Sequence, residues 1–234
     1  MKQNRTLVVG LTLVAFSVLS TLVGWLWTPY DPLEMNPDVS FARPSMSHLL
    51  GTDVFGRDVL SNIMIGARST LVVALVSVLI GVVLGSVVGV ATALAPAKAR
   101  QLSVFGIDIV LALPSVLFAI VLAAVYGAST LTATIAIGIA LSAAIAQITR
   151  RETSQALRSD YVAAAKVSGS GTAQIIRLHV LPNILPSLLV QASGAVAIAI
   201  LAESTLSYLG LGTTPPTPSW GRMLAESQKY LLVD

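Results

Sequence analysis

Long stretches without a single charged residue dominate this chain and restrict what it can fold into. Four of them are present, at residues 6–27, 69–97, 109–149 and 180–202. A helix that crosses the hydrocarbon core of a bilayer needs about 20 apolar residues. The third stretch is long enough for two such helices and is interrupted at Gly127-Ala128-Ser129. We therefore predict five membrane spans, at about 6–27, 69–94, 104–126, 130–149 and 183–206.

The composition supports an integral membrane protein. Charged residues make up 11% of the chain and hydrophobic residues 55%, and the mean hydropathy is +0.83. Soluble domains carry about 25% charged residues. Backbone N–H and C=O groups cannot stay unpaired in lipid, and the alternating pattern of a β-barrel is missing, so the spans must be helices. The predicted fold is an all-α, polytopic membrane helical bundle.

The first apolar stretch is predicted to be a membrane helix at residues 1–28 rather than a signal peptide. Lys2 and Arg5 precede it, as they would in a signal peptide. The stretch is nevertheless longer than an h-region of about 7–15 residues, and no small-residue cleavage site follows Trp27. Trp25 and Trp27 are instead typical of an interfacial aromatic belt.

The distribution of charge predicts the orientation in the membrane. The basic segments are the N-terminus and those after spans two and four, which contain Lys2, Arg5, Lys98, Arg100, Arg150, Arg151, Arg158, Lys166 and Arg177. The other segments are acidic and contain Asp31, Glu34, Asp38, Asp53, Asp58, Glu226 and Asp234. The positive-inside rule then puts the N-terminus and residues 150–182 in the cytoplasm and makes 29–67 an external loop. The net charge of +3 thus reflects orientation and does not indicate binding to nucleic acid.

Three residues in span two predict a helix-packing face. Gly81, Gly85 and Gly89 recur at every fourth position. Small residues at this spacing let the backbone of another helix approach closely. The partner helix can belong to this chain or to another subunit.

Polar residues and prolines in the spans are interpreted mainly as structural. Asp108 and Glu203 lie close to span ends, where they can reach the interface or a polar neighbour. Pro114 is expected to kink span three. Pro182 and Pro186 fall in the first turns of span five, where a missing N–H is harmless.

No catalytic or metal-binding pattern is present in the sequence. It contains neither the phosphate-binding G-x-x-x-x-G-K-[ST] motif nor the H-E-x-x-H zinc motif. It contains no cysteine, and its two histidines, His48 and His179, fall on opposite sides of the membrane in this topology. We therefore predict that the chain is not an enzyme and holds no cofactor or metal of its own.

Three segments together resemble one family. The first is LGTDVFGRDVLS at 50–61, followed by GARSTL at 66–71. The second is YVAAA at 161–165, followed by Gly169 and by HVLPN at 179–183. The third is ESTLSYLGLG at 203–212, which leads into PPTPSWGRML at 215–224. In this order, over nearly the whole chain, they resemble the permease subunits of bacterial ABC importers, specifically the C-type permease of the dipeptide, oligopeptide and nickel group.

The resemblance implies roles for residues in each segment. Residues 150–182 match the cytoplasmic coupling segment, whose family pattern is Glu-Ala-Ala, three variable residues, Gly, nine variable residues and Ile-x-Leu-Pro. Ala163 stands in place of the Glu, and His179 in place of the Ile. The implied coupling residues are Ala163, Ala164, Ala165, Lys166, Gly169, Leu181 and Pro182. The implied external-motif residues are Gly51, Thr52, Asp53, Gly56, Arg57, Asp58, Glu203, Trp220 and Gly221.

The resemblance also implies a complete transport system. Residues 68–234 would form the permease domain of the ABC type I importer fold, which usually has six spans. Because residues 230–234 look like the start of another helix, we expect the chain to be truncated. The chain would be a multi-pass protein of the cytoplasmic (inner) membrane of a bacterium. The implied partners are a second homologous permease, two ATP-binding subunits that hold ATP and Mg²⁺, and an external solute-binding protein.

Other interpretations stay open at this point. The substrate can be a dipeptide, an oligopeptide, a nickel chelate or another small solute. A stand-alone secondary carrier or channel would need no docking segment and should carry charges near the membrane midplane. A membrane scaffold subunit would have no pathway, and residues 150–182 would then be a solvated basic loop that only sets the topology.

Overall fold

The structure, a computed structural model that describes residues 2–230, consists of helices and connecting segments. Its α-helices in chain order are α1 (Lys2–Leu26), α2 (Val59–Leu94), α3 (Ala97–Ala112), α4 (Ser115–Tyr126), α5 (Thr130–Ala156), α6 (Asp160–Val167), α7 (Thr172–Ile175), α8 (Leu181–Tyr208) and α9 (Trp220–Gln228). A 3₁₀-helix covers Pro37–Val39 and a π-helix covers Ile176–Val180. Within the described residues, β pairing is limited to an isolated bridge between Thr52 and Asp58. The prediction of an all-α fold is confirmed.

The described residues contain four to five candidate membrane spans. Helices long and apolar enough to cross a membrane cover Leu7–Leu26, Val59–Leu94, Thr130–Ala156 and Thr172–Tyr208. Helices α3 and α4 pass the same test only together, and they provide the fifth span if the bent pair counts as one. This number agrees with the five predicted spans, but several boundaries differ.

The predicted third span at 104–126 is not one straight helix. Helices α3 and α4 meet at an angle of 89° across Leu113 and Pro114. Leu113 adopts an extended conformation, with φ −88° and ψ 125°, because a proline disfavours the helical conformation of the residue before it. Pro114 itself has no N–H to continue the helix. The predicted kink at Pro114 is therefore confirmed, and it amounts to a complete break.

Helix α2 begins ten residues before the predicted start of span two at 69, inside the segment predicted to be the external loop 29–67. Its start is defined by Asp58, whose Oδ2 accepts hydrogen bonds from the Ser61 N–H and hydroxyl, both at 2.8 Å. Such an N-cap compensates backbone donors that have no partner inside the helix. Hydropathy identifies only the apolar part of α2, so the predicted start of this helix at residue 69 was wrong.

The last long helix also begins earlier than predicted. We expected span five to start at 183, but the helical path is continuous from Thr172 to Tyr208 through α7, the π-helix and α8. Pro182 and Pro186 lie in the first two turns of α8, as predicted, but α8 continues the preceding π-helix, so both prolines are inside the longer helical path. A proline ring crowds the carbonyl four residues earlier, which for Pro182 belongs to Leu178. Leu178 lies in the π-helix.

The chain divides into two compact units. One contains residues 1–72 and 204–234, and the other contains residues 73–203. Residues 231–234, part of the predicted start of another helix, lie outside the described residues.

In the second unit, α2 packs against α5 through its three spaced glycines. A Cβ atom built on each glycine would lie very close to α5: for Gly81, 2.9 Å from the Leu141 Cβ; for Gly85, 2.6 Å from the Ser142 carbonyl oxygen; and for Gly89, 2.6 Å from the Thr149 Cβ. A hydrogen bond of 2.9 Å from the Ser77 hydroxyl to the Thr134 carbonyl oxygen supplements these contacts. The partner of the glycine face, which the sequence left open, is therefore a helix of the same chain.

A cluster of apolar side chains in the second unit positions α6. Its buried members come from α5, α6, α7, the π-helix and α8, and they are Ile145, Ala156, Val162, Ile175, Val180, Ile184 and Leu188. Val162 is fully buried there. Burying such a side chain contributes about 1.5–3 kcal/mol, which holds the short helix α6 in one place.

Candidate functional site

The first candidate site is α6, an eight-residue helix with well-defined ends. Asp160 lies in its first turn and Lys166 in its last, an arrangement that suits the helix dipole. Gly169 follows with φ +86°, a conformation that glycine adopts without the strain of a Cβ atom. The Gly169 N–H donates to the Lys166 carbonyl oxygen and the Ser170 N–H to that of Ala165, both at 3.0 Å. These bonds terminate the helix as a helical C-cap motif does.

One face of α6 is anchored and the opposite face is free within the described residues. Val162 and the half-buried Ala165 pack on the apolar cluster. The exposed residues Asp160, Ala163, Ala164 and Val167 follow the spacing i, i+3, i+4, i+7 and share one face. We call these four residues the outer face of α6. Val167 is 90% exposed although it is apolar, and the two alanines make the face shallow.

Positive charge surrounds the outer face of α6. Arg158, Lys166 and Arg177 are exposed, and among the described residues none of them has a carboxylate within ion-pair distance. The rings of Tyr161 and His179 approach to 6.2 Å between centroids, which brings the start of α6 next to the π-helix. A partner that carries carboxylates could therefore pair with several cations around this face.

Leu181 and Pro182, which the resemblance assigned to the coupling segment, occupy the first turn of α8. Both are exposed. They belong to the long helical path rather than to a loop, and the apolar cluster links this path to α6. Residues 150–182 thus comprise the end of α5, all of α6 and α7, the π-helix and the first turn of α8.

The second candidate site is an ion-pair network that joins the first sequence motif to the last. Arg57 is 8% exposed, and its Nε donates to the Asp53 Oδ2 at 2.7 Å. The Arg57 Nη2 donates to the Glu226 Oε2 at 3.0 Å. The Arg222 Nη2 donates to the other oxygen of the same carboxylate, Oε1, at 2.9 Å. The network of Asp53, Arg57, Arg222 and Glu226 therefore attaches α9 to the segment before α2.

A buried carboxylate, that of Asp58, strengthens the same region. Asp58 is 3% exposed and caps α2 with one oxygen, while its Oδ1 lies 3.0 Å from the Nδ1 of His48. The His48 ring packs against Tyr30 with 4.6 Å between ring centroids. The Tyr30 N–H donates to the Ser61 hydroxyl oxygen at 3.1 Å. Asp58 therefore links the end of the 29–58 segment to its beginning.

Glycines of the predicted external motifs stand where the chain approaches itself most closely. Gly56 has φ +71°, and a Cβ atom there would lie 1.7 Å from the Asn36 carbonyl oxygen. Gly51 has φ +76°. A Cβ atom on Gly221 would lie 2.0 Å from the carbonyl oxygen of Ser204. No other residue type fits Gly56 or Gly221 without movement of the backbone.

The remaining predicted residues are structural in this arrangement. The Thr52 hydroxyl donates to the Val39 carbonyl oxygen and accepts from the Ala42 N–H at 2.8 Å. The Trp220 Nε1 donates to the Ile63 carbonyl oxygen at 3.0 Å, which ties the start of α9 to the second turn of α2. Glu203 is fully buried near the end of α8.

Sequence reasoning did not assign Arg222, Glu226 or His48 to any site. Arg222 and Glu226 are four residues apart on α9, a spacing that favours an ion pair within a helix. The contact of Glu226 with Arg57 spans 169 residues, and no sequence pattern predicts such a pair. His48 was considered only with His179, and its partner Asp58 was not considered.

The two candidate sites differ in form. Among the described residues no three His, Cys, Asp or Glu side chains are grouped so that they could hold a metal ion. The outer face of α6 is shallow and partly apolar, whereas the ion-pair network gives a rigid framework to the 29–58 segment.

The chain is similar to known transport proteins over most of its length. The model of a family described as "Binding-protein-dependent transport system inner membrane component" matches residues 81–233. The "Di/tripeptide transport system permease protein DppC" of Pseudomonas aeruginosa is 38% identical over 97% of this chain and 77% of its own length. The "Dipeptide transport system permease protein DppC" of Escherichia coli K12 is 37% identical over 98% of this chain and 78% of its own length, and that of Haemophilus influenzae is 32% identical over 98% and 80%. The chain therefore belongs to the family of inner membrane components of binding-protein-dependent transport systems.

Proposed function

We propose that the chain is a permease subunit of an ATP-driven importer and forms half of the pathway by which dipeptides and other short peptides enter the cytoplasm. The names of the similar proteins support a peptide substrate rather than a nickel chelate. Membership of the family supports an importer over a stand-alone carrier or channel. The observation that carries the proposal is α6, which is anchored on one side and presents two alanines, a valine and Asp160 on the other.

The outer face of α6 is the surface that docks on an ATP-binding subunit. Ala163 and Ala164 allow the helix backbone to lie close to the walls of a groove, and Val167 supplies apolar area. The surrounding cations Arg158, Lys166 and Arg177 meet carboxylates at the rim, where they steer association. Two ATP-binding subunits dock on the pair of permeases, one on each.

ATP and Mg²⁺ are bound by these partner subunits and not by this chain. The absence of a phosphate-binding loop motif from the sequence supports this division of labour. The chain transmits movement from the ATP-binding subunits into its membrane helices. The route for this is the apolar cluster, because it contacts α6 on one side and α5 and α8 on the other.

The N-terminus and α6 lie in the cytoplasm, and the 29–58 segment with α9 lies outside. The charge distribution supports this orientation, since basic residues are concentrated around α6. On the external side, the surface built around the ion-pair network receives a solute-binding protein that delivers the peptide. A second, homologous permease completes the pathway.

A charge on the outer face of α6 tests this function. We expect Ala164→Glu to leave the protein folded, because the side chain is exposed. On docking, the new carboxylate would lose its water beside Asp160, one turn away on the same face, and an uncompensated buried charge costs about 3–5 kcal/mol. At about 1.4 kcal/mol per tenfold change, the affinity for the ATP-binding subunits should fall at least about a hundredfold. ATP-driven uptake of a labelled dipeptide into vesicles should be lost with it.

The matched control is Ala99→Glu, which places the same change at an exposed alanine of α3, expected on the same side of the membrane. It should bind the ATP-binding subunits and transport like the unaltered protein. Wild-type dipeptide uptake by Ala164→Glu would contradict the docking role of α6. ATP-driven uptake of a nickel chelate but not of dipeptides by the unaltered transporter would leave that role intact and contradict the proposed substrate.

A further inference from the structure

One end of α1 marks the level of a membrane boundary on the structure. The spanning part of α1, Leu7–Leu26, has 20 residues. At about 1.5 Å per residue it is about 30 Å long, which equals the thickness of the hydrocarbon core of a bilayer. Lys2 and Arg5 lie beyond one end, and Trp25 lies at the other. The boundary between hydrocarbon and headgroups therefore passes close to Trp25.

The contacts of Trp25 show where the same boundary crosses α2. The guanidinium carbon of Arg68 lies 4.4 Å from the centre of the Trp25 ring. Helices α1 and α2 are also in close contact next to this pair, since a Cβ atom on Gly24 would lie 2.9 Å from the Met64 carbonyl oxygen. The boundary thus crosses α2 near Arg68. The charge-free stretch that begins at residue 69 is the part of α2 inside the hydrocarbon.

Trp220, the first residue of α9, lies only slightly outside this boundary. Its Nε1 donates to the Ile63 carbonyl oxygen at 3.0 Å, and its Cδ1 would lie 3.0 Å from a Cβ atom on Gly66. Gly66 and Ile63 are two and five residues from Arg68, or about 3 Å and about 7.5 Å along the helix. The headgroup layer on each side of the hydrocarbon is about 5–7.5 Å thick, half the difference between a core of about 30 Å and a bilayer of about 40–45 Å. Trp220 therefore lies at the depth of the headgroups.

The two sides of α9 match such a position. Trp220 is 37% exposed and Leu224, one turn later, is 64% exposed. Arg222 and Glu226 bond to each other, and Glu226 extends the ion-pair network to Arg57. Helices with an apolar side toward lipid and a charged side away from it lie in the plane of the interface.

We infer that α9 is an interfacial helix whose Trp220 and Leu224 contact phospholipids at the boundary between headgroups and acyl chains. The contact continues the lipid-facing surface of α1, where Leu22 and Trp25 are also more than half exposed. Arg68 is exposed at the same level and has no carboxylate within ion-pair distance among the described residues, so its charge suits a lipid phosphate. The bilayer thereby supports the framework of the 29–58 segment through the ion-pair network. This inference does not depend on the substrate.

Spin labels measure the depth of α9 directly, because residues 1–234 contain no cysteine. Leu224→Cys carries the test label, Val14→Cys in the middle of α1 is the hydrocarbon control, and Met46→Cys is the aqueous control. All three replace exposed apolar side chains, with exposures of 64%, 61% and 97%. The variants are assembled with the other transporter subunits in phospholipid vesicles. Collisions of each label with oxygen, which partitions into lipid, and with a water-soluble nickel chelate are compared.

We expect the ratio of oxygen to nickel accessibility at Leu224 to fall between the ratios of the two controls. A ratio equal to that of Met46 would put α9 in water and overturn the inference. A ratio equal to that of Val14 would put α9 in the hydrocarbon and overturn its placement at the headgroups. A label that neither reagent reaches would show that another subunit covers this surface, which also contradicts a lipid contact.

Discussion

Replacing Gly85 by alanine should destabilise the contact between α2 and α5. A Cβ atom at this position would lie 2.6 Å from the Ser142 carbonyl oxygen and 2.8 Å from the Ile145 Cβ. Both neighbours are rigid, because one is backbone and the other is the branched carbon of an isoleucine inside a helix. The added methyl group therefore fits only if the two helices move apart.

Two effects of opposite sign determine how much Gly85→Ala changes the stability of the protein. Overpacking a tight contact costs about 1–3 kcal/mol. Alanine in place of glycine in a helix gains up to about 1 kcal/mol in helix propensity. The control Gly194→Ala in α8 gains helix propensity without overpacking, because its Cβ atom would have no neighbour within 4 Å. Comparing Gly85→Ala with this control therefore isolates the overpacking cost. The two variants should thus differ by the overpacking cost alone, about 1–3 kcal/mol.

The assay is the apparent melting temperature of the purified protein in detergent, measured for wild type and for both variants. We expect Gly194→Ala to melt at or slightly above the wild-type temperature and Gly85→Ala to melt clearly below Gly194→Ala. Equal melting temperatures for the two variants would refute the close α2–α5 contact.

The other predictions concern the ion-pair network, the cap of α2 and the orientation in the membrane. Arg57→Gln and Glu226→Gln should each lower the melting temperature. A double-mutant cycle should give a coupling energy of about 1 kcal/mol, because the Glu226 carboxylate is partly solvated. Additive effects of the two substitutions would argue against the ion pair. Asp58→Ala should destabilise the protein by about 2 kcal/mol, the upper end for an N-cap, because the His48 contact is lost as well; a melting temperature equal to that of wild type would contradict the cap. An impermeant thiol reagent should label Met46→Cys in intact cells and Ser168→Cys only after the membrane is opened; the reverse pattern would invert the proposed orientation.

The membrane helices could largely be predicted from the sequence because hydropathy depends on composition over a long window. The break at Pro114 was also predictable, since a proline acts on its immediate neighbours. The start of α2 was missed because it depends on the side chain of Asp58 rather than on apolar residues. The helical path through Pro182 was missed because prolines at 182 and 186 predict the start of a helix rather than its continuation.

The candidate sites show the same division between local and long-range information. The resemblance assigned Ala163, Ala164 and Gly169 to a docking segment, and the structure adds which side of α6 is anchored by Val162. The glycine spacing predicted a packing face, but only the fold identifies α5 as its partner. The contact between Arg57 and Glu226 depends on how the ends of two distant helices meet, and no local rule provides it.

The most direct test of the docking role of α6 is a photo-crosslinking amino acid placed at Val167 in the assembled transporter. Val167 is the most exposed apolar residue of the outer face of α6. On illumination we expect it to form a covalent product with the ATP-binding subunit, while the same amino acid at Met46 in the 29–58 segment forms none with that subunit. A product with the ATP-binding subunit from Met46 and not from Val167 would contradict both the docking surface and the proposed orientation.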